Sequence, residues 1–111
     1  MPTSDRRKSS DRRTDVRHRL ALDVEWEGPS GRWKGTINDI GRAGCFVLGA
    51  GEVEDGDRVR VDFPLSTGGS VAIRGVVVNH AYDIGFGLRF VELTDTEREF
   101  LDRFIEIVKQ D

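Results

Sequence analysis

Between Leu20 and Phe90 the chain keeps returning to a period of two, which commits that stretch to half-buried strands rather than helices. Leu20, Leu22, Val24 and Trp26 alternate with Ala21, Asp23 and Glu25. After the turn chemistry of Gly28-Pro29-Ser30-Gly31, Trp33 to Ile40 reads as the returning strand, and Cys45 to Leu48 as a short apolar one. Beyond the glycine-rich stretch from Gly49 to Gly56, Val59, Val61 and Phe63 alternate with Arg58, Arg60 and Asp62. Val71 to Asn79 is the longest strand candidate, with Gly75 expected to mark a bulge or bend. Ile84, Phe86, Leu88 and Phe90 then share one face, with Gly85, Gly87 and Arg89 on the other. Six short strands at regular spacing favour a closed barrel, with a sandwich as the open alternative.

The end of the chain changes period. Thr94-Asp95-Thr96-Glu97 fits a capping box, and Phe100, Leu101, Phe104, Ile105 and Val108 form a stripe at helical spacing. Asp95 and Glu97 at its start and Lys109 at its end suit the helix dipole. The stripe is expected to pack on the barrel mouth. With 111 residues and 37% hydrophobic content, the chain suits one small domain. Residues 1–11 read as a flexible tail and 12–111 as the domain, divided into an arm (12–19), a barrel (20–93) and a helix (94–109).

Charge divides the chain. Through Arg19 there are seven basic residues against three acidic, and thereafter ten against seventeen. A basic arm on an acidic body attracts a discrete anion but suits broad nucleic-acid binding poorly, and aromatics are not interleaved with the arm as a single-strand binder requires. No apolar run approaches the roughly eighteen residues of a membrane span, and the N-terminus lacks the apolar core of a secretory signal, so a cytoplasmic chain without membrane insertion is expected. Cys45, the single cysteine, reads as a buried structural thiol. His18 and His80 stand in no catalytic or metal-ligand spacing, so neither an enzyme nor a metal site is expected.

Two motifs carry chemistry. Arg13 and Arg17, preceded by Arg12, lie about 13 Å apart if extended and about 6 Å apart in a helical turn, so two guanidinium groups can embrace one ligand. Each can fork onto guanine O6 and N7 or onto a phosphate. Alone, the pair fits a solvated basic tail better than a binding site. Asp39, at a strand end, can accept from guanine N1-H and N2-H, while Gly41 and Gly44 permit positive φ and close approach of backbone N-H groups. Alone, that segment fits an ordinary tight turn.

Together, in this order and followed by this strand pattern, the motifs resemble the PilZ domain, a bacterial receptor family for cyclic di-GMP. The family pattern is R-x-x-x-R, often with an extra preceding arginine, then D/N-x-S-x-x-G, on a six-stranded antiparallel β-barrel with a C-terminal α-helix. Arg13 and Arg17 match the first motif, Arg12 the extra arginine, and Asp39 and Gly44 the ends of the second. The resemblance runs from Arg12 to about Val108 and includes Gly85-Phe86-Gly87-Leu88-Arg89-Phe90, similar to the family's closing strand.

It implies a stand-alone, non-enzymatic receptor without other cofactor. Arg13 and Arg17 would contact guanine and phosphate, Arg12 would support them, and Asp39 would take the other guanine edge. Gly44 would allow close backbone approach. The arm would order around the nucleotide and present a surface to an unidentified downstream protein. Several family members carry an aromatic residue near the end of the fifth strand. Here Val78, Asn79 and His80 stand there, leaving His80 and Tyr82 as candidates to cover a base. The family serine is Gly41 here, which motivates the alternative of a degenerate interaction module that no longer binds the nucleotide. The missing hydroxyl removes a hydrogen bond of about 0.5–1.5 kcal/mol. Gly41→Ser is therefore expected to tighten cyclic di-GMP binding a few-fold in a calorimetric titration, and an unchanged or weaker affinity would count against this placement of the ligand.

Overall fold

A computed structural model describes residues 16–109. The tail at 1–11 and the first half of the arm, including Arg12 and Arg13, lie outside the described residues. Among these residues the elements are β1 (His18–Gly28), β2 (Gly31–Ile40), β3 (Gly44–Leu48), β4 (Arg58–Pro64), β5 (Ser70–Ala81), β6 (Gly85–Phe90) and the helix α1 (Asp95–Val108). The strands close into an antiparallel barrel in the order β1-β2-β3-β6-β5-β4, which decides between barrel and sandwich. Closure is made by β1 on β4, where Glu25, Trp26 and Glu27 pair with Asp62, Val61 and Arg60. Every strand thereby gains two neighbours, and no edge is left to recruit another chain.

The alternation sorts the faces as expected from sequence. Val24, Trp26, Ile37, Val47, Val61, Phe63, Ile73, Phe86 and Leu88 fill the interior, while Arg58 and Arg60 stay in solvent. Trp26 is fully buried, edge-on to Phe86 at 4.9 Å and stacked on Trp33 at 6.2 Å between ring centroids.

The helix closes one mouth. Its capping box is complete: the Glu97 amide donates to Thr94 Oγ1 at 3.1 Å, and the Thr94 amide donates to Glu97 Oε1 at 3.0 Å. Leu101 and Ile105 are buried, and Phe100 and Phe104 meet the Phe63 ring edge-on at 5.8 and 5.7 Å. Lys109 does not complement the dipole from within the last turn; it is the C-cap residue and pairs with Glu106 at 3.1 Å.

Two strand expectations change. Ile84 does not join the inner face of β6 but sits in the β5–β6 turn, 58% exposed, where its amide donates to the Ala81 carbonyl and its carbonyl accepts from Gly49. Gly75 is not bulged: it pairs in register with Val59 and with Phe90, and the irregularity falls between Val77 and Asn79. The glycine is there for space. A Cβ at Gly75 would lie 2.5 Å from Leu88 Cγ and 2.9 Å from the Arg89 carbonyl oxygen. Gly75→Ala therefore overpacks the barrel, with an expected cost of about 1–3 kcal/mol, read as a lower urea midpoint at unchanged m-value.

Candidate functional site

Asp39 owes its position to a bulge. In a regular strand, Ile37 inside would put Asn38 outside, Asp39 inside and Ile40 outside. Instead Ile37 and Ile40 are both fully buried, because the β2–β3 register shifts between Ile37 and Asp39. The extra residue turns Asp39 to the outer surface while keeping Ile40 in the core. A matching irregularity in β1, between Arg19 and Leu22, keeps β1 aligned across it, with Arg19 opposite Asp39.

Arg17, immediately before β1, reaches this carboxylate: its Nη1 donates to Asp39 Oδ1 at 2.7 Å. The side chains are 40% and 30% exposed. Two residues from separate motifs, twenty-two positions apart, thus share one point on the surface. Arg12 and Arg13 belong to the first motif but lie outside the described residues.

Gly41 and Gly44 close the β2–β3 turn, yet not as left-handed residues. Among the described glycines, positive φ occurs at Gly31, Gly56, Gly68 and Gly69. The Gly41 amide donates to the Gly44 carbonyl at 2.8 Å, so that donor is spent inside the turn rather than aimed outward. Gly44 is buried in β3, and a Cβ there would collide with the Leu88 carbonyl of β6. Close approach is the reason for this glycine, but what approaches is the neighbouring strand. The Phe90 amide donates to the Ala43 carbonyl at 2.8 Å and fixes the turn to β6 as well.

Arg42, at the exposed tip of this turn, lies with its Nε 3.6 Å from Asp102 Oδ1 and so links the site to α1. Sequence reasoning passed over it because an arginine inside a turn has no fixed spacing to a helix sixty residues away. His18 borders a small cavity of about 150 Å³ with Arg42, Asp102 and Lys109, against the helix. His80 and Tyr82 belong to the other mouth. His80 Nδ1 lies 2.7 Å from Asp55 Oδ1, and Tyr82 is 83% exposed in the β5–β6 turn.

Cys45, next to Gly44, is wholly buried, and its thiol is pushed up to about 12, chiefly because burial disfavours the thiolate; Arg17 pulls it down and Asp39 pushes it up by smaller amounts. It is a structural thiol. Native protein at pH 8 is expected to resist a thiol reagent such as dithiobisnitrobenzoate, with one equivalent reacting after denaturation; rapid modification of the folded chain would contradict this burial.

A family model for the PilZ domain matches residues 11–106. Solved structures of the same architecture include the PilZ domain of CeSA from a cellulose-synthesizing bacterium, with TM-score 0.69 and 13% identity over 85% of this chain and 98% of that one. The Bacillus subtilis inhibitor of motility MotI/DgrA superposes with TM-score 0.66 and 20% identity, over 81% of this chain and 47% of its own. The Borreliella burgdorferi PlzA protein, in complex with c-di-GMP, gives TM-score 0.67 and 12% identity, over 90% of this chain and 43% of its own. The chain thus spans just under half the length of the latter two, and at these identities the likeness is one of fold. A search of curated proteins finds no match. Among the described residues, no helix is long and apolar enough to cross a membrane.

Proposed function

The chain belongs to the PilZ domain family, and on that footing we propose that it is a cyclic di-GMP receptor whose site is the Arg17–Asp39 surface together with Arg12 and Arg13. The observation that carries this reading is the 2.7 Å contact that brings a guanidinium and a carboxylate from two motifs to one outward-facing point. The carboxylate accepts from guanine N1-H and N2-H, and the arginines fork onto the O6 and N7 edge or onto phosphate.

Magnitudes favour exchange of this pair for a ligand. An exposed ion pair is worth about 0–1 kcal/mol, whereas each hydrogen bond to a charged group contributes about 1.5–3 kcal/mol. Asp39 can therefore turn to a guanine edge at small cost. The arm closes over the nucleotide, and the surface so formed is what a downstream protein reads, making the domain a cytoplasmic adaptor rather than an enzyme. One observation favours the second reading, an interaction module that no longer binds the nucleotide: the Gly41 amide is committed to the turn and carries no serine hydroxyl beside it.

Isothermal titration with cyclic di-GMP separates the two. Arg13→Ala, Arg17→Ala and Asp39→Ala are each expected to weaken binding by about tenfold or more, with thermal stability changed by less than about 1 kcal/mol for the exposed pair. Wild-type affinity is expected to fall with added salt. Equal, negligible heat from wild type and Arg13→Ala would overturn the receptor reading and leave the interaction module.

A further inference from the structure

The strand register sets a row of outward-facing groups across five strands. Arg19 of β1 lies opposite Asp39 of β2, and Asp39 lies opposite Phe46 of β3. Phe46 lies opposite Gly87 of β6, and Gly87 opposite Asn79 of β5. Cys45 and Val47, on either side of Phe46, are fully buried, so Phe46 points out of the barrel. Trp33, Phe100 and Phe104 are also half-buried, but they pack against the core, whereas Phe46 is not part of that packing.

The ring lies against glycines of β6. Gly85 and Gly87 present no side chain, and both are occupied by their neighbours' groups: a Cβ at Gly85 would lie 3.0 Å from Phe46 Cε2, and one at Gly87 would lie 2.8 Å from Asn79 Oδ1. The bulge between Val77 and Asn79 puts Asn79 on the outer face, just as the bulge at Asn38 does for Asp39. A carboxylate, an aromatic ring and an amide therefore follow one another across three strand spacings, about 14 Å of backbone.

We propose that Phe46 is the base-stacking platform of this site, reading a purine whose hydrogen-bonding edge faces Asp39, with the Asn79 amide as the polar wall at its far side. This rests on the nucleotide-receptor reading and adds the residue that selects for a planar base. Directly opposed side chains on neighbouring strands stand about 4.5–5.5 Å apart at Cβ. Asp39 is the directly opposed residue on β2, so a purine laid on Phe46 and extending towards β2 brings its edge to the carboxylate. A more modest role for Phe46, shielding the glycine backbone of β6, is served by any apolar side chain, and that difference makes the two separable.

The test is a cyclic di-GMP titration of the full chain with Phe46→Leu and Phe46→Trp, together with proton NMR of the nucleotide. Stacking is worth about 1–3 kcal/mol per base, so Phe46→Leu is expected to lower affinity by about 5- to 150-fold at nearly unchanged melting temperature, while Phe46→Trp retains it. In the wild-type complex the guanine H8 resonance moves upfield through the ring current, and in Phe46→Leu it does not. Wild-type binding with equal affinity and equal H8 shift in Phe46→Leu overturns the stacking role alone. No wild-type binding overturns the receptor reading and the platform with it. Should Phe46→Leu fail to fold, the presence or absence of the H8 shift in wild type and Phe46→Trp decides the matter.

Discussion

Leu88 is the wedge on which the arrangement depends. Its side chain occupies the space that a Cβ at Gly75 would need on β5, and its carbonyl presses into the space that a Cβ at Gly44 would need on β3. It pairs directly with Cys45 on one side and Val77 on the other. One residue of β6 thus sets how closely three strands approach, and with them the position of the β2–β3 turn. Interiors packed to crystal-like density transmit such constraints, so the outer face at Asp39 is held by what lies directly beneath it.

Bulges convert that rigid interior into an outward-facing site. The β2 register shift falls where the chain must present a polar group and still return an apolar one to the core. At Asn38 the reward is Ile40 buried with Asp39 outside, and after Val77 it is Asn79 brought onto the same row. The strand pairing, not the exposed ion pair, holds these groups in place, because a surface pair of this kind contributes so little to stability.

Much of this was legible in the sequence. Alternation, apolar runs and turn chemistry together located all six strands, the capping box located the start of α1, and two motifs pointed to Arg17 and Asp39, which the fold brings into contact. The misreadings share a physical cause: they concern partners that a single strand does not reveal. A glycine in a strand reads equally as a bulge or as room for a neighbour, and at Gly75 and Gly44 the neighbour, Leu88, lies on another strand. Cys45 to Leu48 is apolar throughout, so alternation carried no sign of which face Phe46 takes. The spacing of Ile37 and Ile40, three rather than two, was the one available sign of the bulge. Ile84 extended an apolar pattern by one residue into a turn whose backbone hydrogen bonds, not its hydrophobicity, decide its place.

The candidate site joins groups carried on paired strands to a residue that precedes the barrel. Asp39 and Phe46 sit on paired strands over a filled core, so their separation is set before any ligand arrives. Arg17 precedes β1, outside the ladder, and Arg12 and Arg13 precede it in turn. In the proposed receptor, a ligand would meet Asp39 and Phe46 already held by strand pairing, so little of its binding free energy would go into ordering them. Arg42, in the turn beside Asp39, faces Asp102 of the helix that plugs the mouth, so the same turn links the candidate site to α1.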